Sequence, residues 1–204
     1  IIMGSLYDVR KPPHSRTMGI ELECIINDEA WNVRKSGGFW QFWYFTTDGS
    51  IDVPWGHRWY GAELISQPLP YEALIKQIKR LHKKIGDWQH NGSCGIHVHV
   101  SRHMFGADRR AEWLAFLRTL THAQTKSLFG RGSNTYCDPR VDGKYCSINA
   151  EHDATYEFRM FSSGNADWAI ECVTRAYRMA LYRGPLTYEA VCNLFQVEPV
   201  RLAQ

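Results

Sequence analysis

The chain has 204 residues, of which 44% are hydrophobic and 22% charged, and its formal net charge is +3 at pH 7. This composition excludes a disordered chain, and the length fits a single domain over residues 1–204. The near-balanced charge argues against a specific nucleic-acid partner, and no apolar run reaches the roughly 18 residues that a membrane-spanning helix needs.

The first residues and the cysteines together predict a reducing, cytoplasmic environment. Residues 1–11 lack the charged start, apolar stretch and cleavage site of a signal peptide, so we expect a cytoplasmic protein. None of the six cysteines forms a Cys-x-x-Cys pair, so we expect reduced thiols rather than disulfides or a zinc ribbon.

Strands and a helix are predicted in the first half of the chain. The alternation of apolar and polar residues predicts strands over 17–26, 39–47 and 62–66, with a turn at Asp48-Gly49-Ser50. Pro70 suits the first position of a helix whose apolar residues recur at helical spacing until Ile85.

The second half of the chain is also predicted to contain both strands and helices. Strands are predicted over 95–101, 144–149 and 155–161, one long helix over 108–129, a helix from Asn165 to Tyr182 and a short helix from Thr187. No internal repeat is evident. The predicted fold class is α+β, with a mainly antiparallel sheet, helices packed on one face and the active site on the other.

Three predicted strands carry polar side chains at a spacing of two residues. These pairs are Glu21-x-Glu23, His97-x-His99 and Glu157-x-Arg159. Side chains at i and i+2 point to the same face of a strand, so each pair lies opposite the apolar neighbours. A solvated sheet face is the simple alternative.

If the three strands share one sheet, their carboxylates and imidazoles converge. Clustered carboxylates repel one another, and a divalent cation removes that conflict. The oxygen-rich ligand set favours Mg²⁺ or Mn²⁺, and Mg²⁺ is commonly completed by phosphate oxygens. The chain has no Gly-x-x-x-x-Gly-Lys-Ser/Thr motif, so a P-loop is excluded.

The segment Asn91-Gly92-Ser93-Cys94-Gly95-Ile96-His97-Val98-His99 resembles the Asn-Gly-Ser-Gly-x-His-x-His segment of glutamine synthetase. Residues 19–23, 48–50 with 62–66, and 156–159 resemble, in the same order, the other catalytic segments of carboxylate–amine ligases. The order is similar to that of the compact amidoligases, relatives of glutamine synthetase and γ-glutamylcysteine synthetase that are often found in phage and mobile elements.

The resemblance implies a glutamine-synthetase-like catalytic sheet and an ATP-dependent ligase. Such enzymes phosphorylate a carboxylate, on an amino acid or peptide-like substrate, and an amine then displaces the phosphate. The implied cofactors are ATP and Mg²⁺ (or Mn²⁺), the partners are a carboxylate and an amine, and an oligomer is compatible with the family.

The resemblance also implies roles for individual residues. One metal near the substrate is expected at Glu21, Glu63 and Asp48, and one that bridges the ATP phosphates at Glu23, His97 and Glu157. His99 and Arg159 are expected to face the phosphates, with weaker support for Arg131 and Lys144. The catalytic set is Arg159, His99 and Glu63, and truncation of Glu157 is expected to leave no cavity.

Two other classes of function stay open at this point. His97-x-His99 is compatible with a metal-dependent hydrolase, although Val100 and Ser101 do not supply the Asp-His that commonly follows in amidohydrolases. A non-catalytic nucleotide- or peptide-binding protein on the same fold is the other alternative.

Overall fold

The computed structural model describes residues 16–33, 42–54 and 58–200. One six-stranded sheet has the order β2-β3-β1-β4-β6-β5, and every neighbouring pair is antiparallel. The strands are β1 (Met18–Asn27), β2 (Trp43–Thr47), β3 (Trp59–Ser66), β4 (Gly95–Ser101), β5 (Ile148–Asn149) and β6 (Thr155–Ser162).

The helices lie against one face of this sheet, where α2 packs on α5 and α5 packs on β4. This arrangement confirms the predicted mixture of helices with an antiparallel sheet. None of the helices in the described ranges has the length and apolar character needed to cross a membrane. The helices are α1 (Asp28–Val33), α2 (Tyr71–Ile85), α3 (Ala107–Thr119), α4 (His122–Phe129), α5 (Ala166–Leu181) and α6 (Tyr188–Phe195).

The core forms between the sheet and the helices because the central strands alternate. On β1, Ile20, Leu22 and Cys24 are buried in the main core, and on β4, Ile96 and Val98 join them. The intervening residues therefore point to the opposite face of the sheet. This alternation places the polar pairs of β1 and β4 together on the face that the helices leave open.

The predicted long helix over 108–129 is wrong, since α3 ends at Thr119 and α4 begins at His122. Thr121 caps the second helix: its hydroxyl accepts the Gln124 N–H, and the Gln124 side chain accepts the Thr121 N–H. Such a capping box favours a new helix start. It therefore divides an apolar pattern that continues through both helices.

Several smaller differences concern the ends of elements. The strand predicted over 144–149 is reduced to Ile148–Asn149, because residues 144 and 145 form a turn whose Tyr145 carbonyl accepts the Asp138 N–H. Pro70 is the N-cap of α2 rather than its first residue. Helix α1 was not predicted, and residues 39–41 of the second predicted strand lie outside the described residues.

The strand order reveals an internal repeat, contrary to the expectation that the chain contains none. The first unit is β1-β2-β3 followed by α2, with α1 inserted after β1. Its first strand lies at the centre of the sheet, its third strand next and its second strand at the edge. The second unit, β4-β5-β6 followed by α5, has the same order outward from the centre, with α3 and α4 inserted after β4. The sheet is therefore two related units joined by the pairing of β1 with β4.

Residue registers support this relationship. Gly19-Ile20-Glu21-Leu22-Glu23 of β1 corresponds to Gly95-Ile96-His97-Val98-His99 of β4. Glu23 lies opposite Glu63 of β3, and its counterpart His99 lies opposite Glu157 of β6. Glu21 pairs with its own counterpart, His97. The pseudo-twofold axis of the sheet consequently passes between Glu21 and His97.

Candidate active site in the open face of the sheet

The open face of the sheet forms the floor of a cleft of about 980 Å³. Segments 46–52, 92–93 and 131–152 supply its walls. Of the predicted site residues only His99 does not line it. Those that do are Glu21, Glu23, Asp48, Glu63, His97, Arg131, Lys144, Glu157 and Arg159.

His97 is at the centre of the floor, and its side chain is only 4% exposed. Its Nδ1 lies 3.2 Å from Glu21 Oε2 and 3.2 Å from Glu157 Oε1, and its Nε2 lies 3.6 Å from Glu23 Oε1. Both ring nitrogens thus face carboxylates that come from β1 and β6, the two neighbours of β4.

Two groups of side chains offer ligand atoms that all lie within 4.8 Å of one another. The first group is Glu21, His97 and Glu157, and the second is Glu23, Glu63 and His97. The family resemblance implied instead that Glu21 belongs with Glu63, and Glu23 with Glu157. These groups follow the strand registers, in which Glu23 lies opposite Glu63 and Glu21 lies opposite His97. Glu63 also has a hydrogen bond with Glu21, so the implied pairing of these two carboxylates stays a prediction.

His99 lies below the cleft rather than in its wall. Its side chain is 2% exposed, its Nε2 is 2.9 Å from Glu21 Oε1, and its Nδ1 is 3.3 Å from Thr155 Oγ1. A histidine held in this way orients the carboxylate that it contacts. His99 is therefore in a position to orient Glu21.

Glu23 is held by the backbone of β4. The Gly95 N–H donates to Glu23 Oε2 over 2.6 Å. A methyl group at Gly95 would lie 3.0 and 3.1 Å from the two terminal nitrogens of Arg131 and 3.2 Å from Glu23 Oε2. The absence of a side chain at Gly95 thus lets a guanidinium and a carboxylate approach the same point of the strand.

Glu157 is buried, with 3% of its side chain exposed. Asn149 donates to its Oε2 over 2.8 Å, Arg159 donates to its Oε1, and His152 Nε2 lies 3.7 Å from its Oε2. Truncation of Glu157 would leave Arg159 without its carboxylate, an effect separate from the expected absence of a cavity. The glutamine variant is therefore the better test of its chemistry.

A β-bulge interrupts the pairing of β6 with β4 at Arg159. Ile96 pairs with Phe161 and Val98 with Phe158, so two residues of β6 lie opposite His97. Bulges of this kind re-aim side chains beside active sites. Arg159 Nε donates to the Tyr136 carbonyl over 3.3 Å, and Arg131 donates to the Arg159 carbonyl.

The imidazoles keep two of the carboxylates ionised. Burial raises the pKa of Glu21, but the charge of His99 and hydrogen bonds with His97 and His99 outweigh it and hold the pKa well below its usual range. Burial also opposes ionisation of Glu157, yet His152, His97, His99 and Arg159 lower its pKa to about 2. Both groups are therefore carboxylates at neutral pH.

Glu63 has the opposite environment. Burial, the charge of Glu21, a hydrogen bond with Glu21 and the charges of Glu23 and Asp48 together raise its pKa to about 8. This is the conflict expected of crowded carboxylates that have no cation between them. Oxygen donors with a single imidazole fit a hard divalent cation such as Mg²⁺ or Mn²⁺.

Metal-free protein is expected to lose stability as the pH rises from about 5 to 8. The folded-state pKa of Glu63 is about 8 against 4.5 ordinarily, so its contribution is complete below pH 4.5 and is lost as the pH approaches 8. The pKa of His152 is also raised, so it adds a slope of the same sign. With a chelator present, the melting temperature of Glu63→Gln should fall less steeply with rising pH than that of the wild type. An identical pH dependence in the two proteins would contradict the environment described for Glu63.

The arginines and the lysine that line the cleft lie on one side of it, together with the carboxylates of Glu151 and Glu157. Arg131, Lys144 and Arg159 line the side next to β6, and we call them the cationic side. Asp48, Asp52 and Glu63 line the side next to β2 and β3. The carboxylate of Asp48 also accepts the N–H and hydroxyl of Ser50, over 2.8 and 2.7 Å, which fixes the turn after β2.

Sequence reasoning missed several residues of the cleft. His152 was given no role, and Asn149, Asn134, Tyr136 and Tyr145 carried no motif. Glu151, which is exposed, also lines the cleft. The doublet of Asn149 and Glu157, which lie opposite each other on β5 and β6, is recognisable only once the strands are paired.

Comparison with known families identifies one family whose model covers most of the cleft residues. A family model described as "Putative amidoligase enzyme" matches residues 23–160, more than half of the chain. This range includes every residue of the cleft floor except Glu21. Neither the curated proteins nor the solved structures gave a match. The chain belongs to the amidoligase family, whose description denotes a ligase-type enzyme.

Proposed function

We propose that the protein is an ATP-dependent carboxylate–amine ligase that works through an acyl-phosphate intermediate. The observation that carries this proposal is the pair of ligand groups around His97 beside the guanidinium of Arg159, all in one cleft. Family membership supports the ligase class, and the cleft supports phosphoryl chemistry within that class.

The two ligand groups are candidate sites for Mg²⁺ or Mn²⁺, with Glu21, His97 and Glu157 in one and Glu23, Glu63 and His97 in the other. A neutral imidazole has one unprotonated nitrogen, so His97 would ligate a cation in one group at a time. A divalent cation there supplies charge neutralisation for the triphosphate. The first group lies on the side of Arg159, since Glu157 contacts both His97 and Arg159. We therefore assign the triphosphate to the cationic side and the carboxylate and amine substrates to the side of Glu63.

The protein side chains have separable tasks in this reaction. Arg159 and Arg131 stabilise charge on the phosphoryl group as it passes from ATP to a carboxylate oxygen, with ADP as the leaving group. The amine nitrogen then attacks the acyl carbon, and phosphate leaves. The acidic side attracts the ammonium form of the amine and takes up the proton that it loses.

The products of turnover test the mechanism. With a competent pair of substrates and Mg²⁺, we expect ADP and inorganic phosphate in amounts equal to the amide. Label from an ¹⁸O-carboxylate should pass into the phosphate, because an oxygen of the substrate becomes the bridging atom of the acyl phosphate. A screen of amino acids, peptides and polyamines for phosphate release identifies the pair.

The metal requirement is tested separately by calorimetric titration of ATP with Mg²⁺ and with excess chelator. Equal ATP affinity in both conditions would refute the metal assignment. Release of AMP and pyrophosphate would refute the acyl-phosphate route, because that result requires attack at the α-phosphate. Absence of nucleotide turnover with every pair would favour a binding protein.

A further inference from the structure

Two exposed aromatic rings lie at the mouth of the cleft on the cationic side. Tyr136 is 62% exposed and Tyr145 is 44% exposed, and both line the cleft. Their ring centroids are 5.7 Å apart with an interplanar angle of 81°, so one ring presents its edge to the other. Lys144 lies 5.9 Å from the centre of the Tyr145 ring.

The backbone at both tyrosines is held in place by buried contacts of the residue that follows each of them. Each tyrosine precedes a buried cysteine, Cys137 at 2% exposure and Cys146 at 0%. Cys137 Sγ lies 3.4 Å from Ser147 Oγ, and Arg110 donates to Cys146 Sγ over 3.5 Å. The two Tyr-Cys dipeptides therefore turn a sulfur into the core and an aromatic ring into solvent.

Tyr136 is also tied directly to the phosphate side of the cleft. Its N–H donates to Asn134 Oδ1 over 2.9 Å, and its carbonyl accepts from Arg159 Nε over 3.3 Å. The main chain that carries the ring thus contacts the guanidinium assigned to the phosphoryl group. Solvent-exposed apolar rings held this firmly beside a cationic site offer a stacking surface for a flat ligand.

We propose that Tyr136 and Tyr145 form a platform for the base of the nucleotide, in which the base stacks on one ring and meets the edge of the other, since the rings are nearly perpendicular. This inference rests on the proposed function, and it adds the residues that bind the base. A nucleotide on the cationic side would place its phosphates against Arg131 and Arg159 and its base against the rings beyond them. Stacking accepts any base with an aromatic face, so the platform supplies affinity with little base specificity.

The experiment compares two ligands in calorimetric titrations with excess Mg²⁺. ATP carries a base, whereas inorganic tripolyphosphate carries the same chain of phosphates without one. We expect Tyr136→Ala and Tyr145→Ala each to weaken ATP binding by about tenfold, the size of one stacking contact, and to leave tripolyphosphate binding unchanged. Tyr136→Phe and Tyr145→Phe should bind ATP as the wild type does.

The matched control is Val141→Ala, which changes an exposed residue of the same segment that does not line the cleft. Thermal unfolding confirms that each variant is folded. If the alanine variants bind ATP with wild-type affinity, or lose affinity equally for both ligands, the platform is refuted while the ligase proposal stands. If the wild type binds neither ligand in the presence of Mg²⁺, the proposed function fails and the platform fails with it.

Discussion

Glu157→Gln is expected to lower turnover at saturating ATP and Mg²⁺ by about 10³-fold or more, comparable with the loss of a preorganised electrostatic contact. Glutamine has nearly the same shape but no charge, so it weakens a candidate metal ligand and removes the counter-charge of Arg159. Phosphate release by the purified variant, together with its circular dichroism, gives the measurement.

Glu151→Gln is the control for this change. Glu151 lines the same cleft and is exposed, but it belongs to neither ligand group. Its variant should retain most of the activity. Wild-type turnover by folded Glu157→Gln would show that this carboxylate is not part of the reaction centre.

His97→Ala should affect both ligand groups, because His97 is the member that they share. We expect Mg²⁺-dependent ATP affinity and turnover to fall by more than about 100-fold. Loss of a residue that only orients a metal ligand costs up to about 100-fold, so a larger loss indicates a ligand. Glu21→Gln and Glu23→Gln each change one group, so each should lose less than His97→Ala. Titration of Mn²⁺ followed by electron paramagnetic resonance counts the ions that each variant holds.

His90→Ala controls for the loss of an imidazole, since His90 is exposed and does not line the cleft. It should bind as many ions as the wild type. An unchanged ion count in His97→Ala would argue against a shared ligand. In that event, His97 would act as a positioning residue like His99.

Much of the candidate site follows from the two-residue period of strands. The pairs on β1, β4 and β6 had to share a face whichever order the strands took, because successive side chains alternate. Glu21, Glu23, His97 and Glu157 accordingly meet on the open face. The antiparallel sheet with helices on its other face follows from the same alternation, since only one face of these strands is apolar.

The alternation of side chains along a strand does not predict which carboxylates belong to which ligand group. It depends on which carboxylate lies opposite which strand, and strand order and register are long-range properties. The environment of His99 has the same origin, because its ring contacts Glu21 of the neighbouring strand. The break between α3 and α4 is a different case, since a local capping box overrides an apolar periodicity that continues across it.

The pseudo-twofold arrangement of the sheet has a consequence for how the protein matures. Glu21, Glu23 and Glu63 belong to the first unit, whereas His97 and Glu157 belong to the second. Both ligand groups include His97 and at least one glutamate of the first unit, so neither unit can assemble either group by itself. On the proposed function, a nascent chain would complete either ligand group only after β1 has paired with β4. Cation binding would then report that the two halves of the sheet have joined.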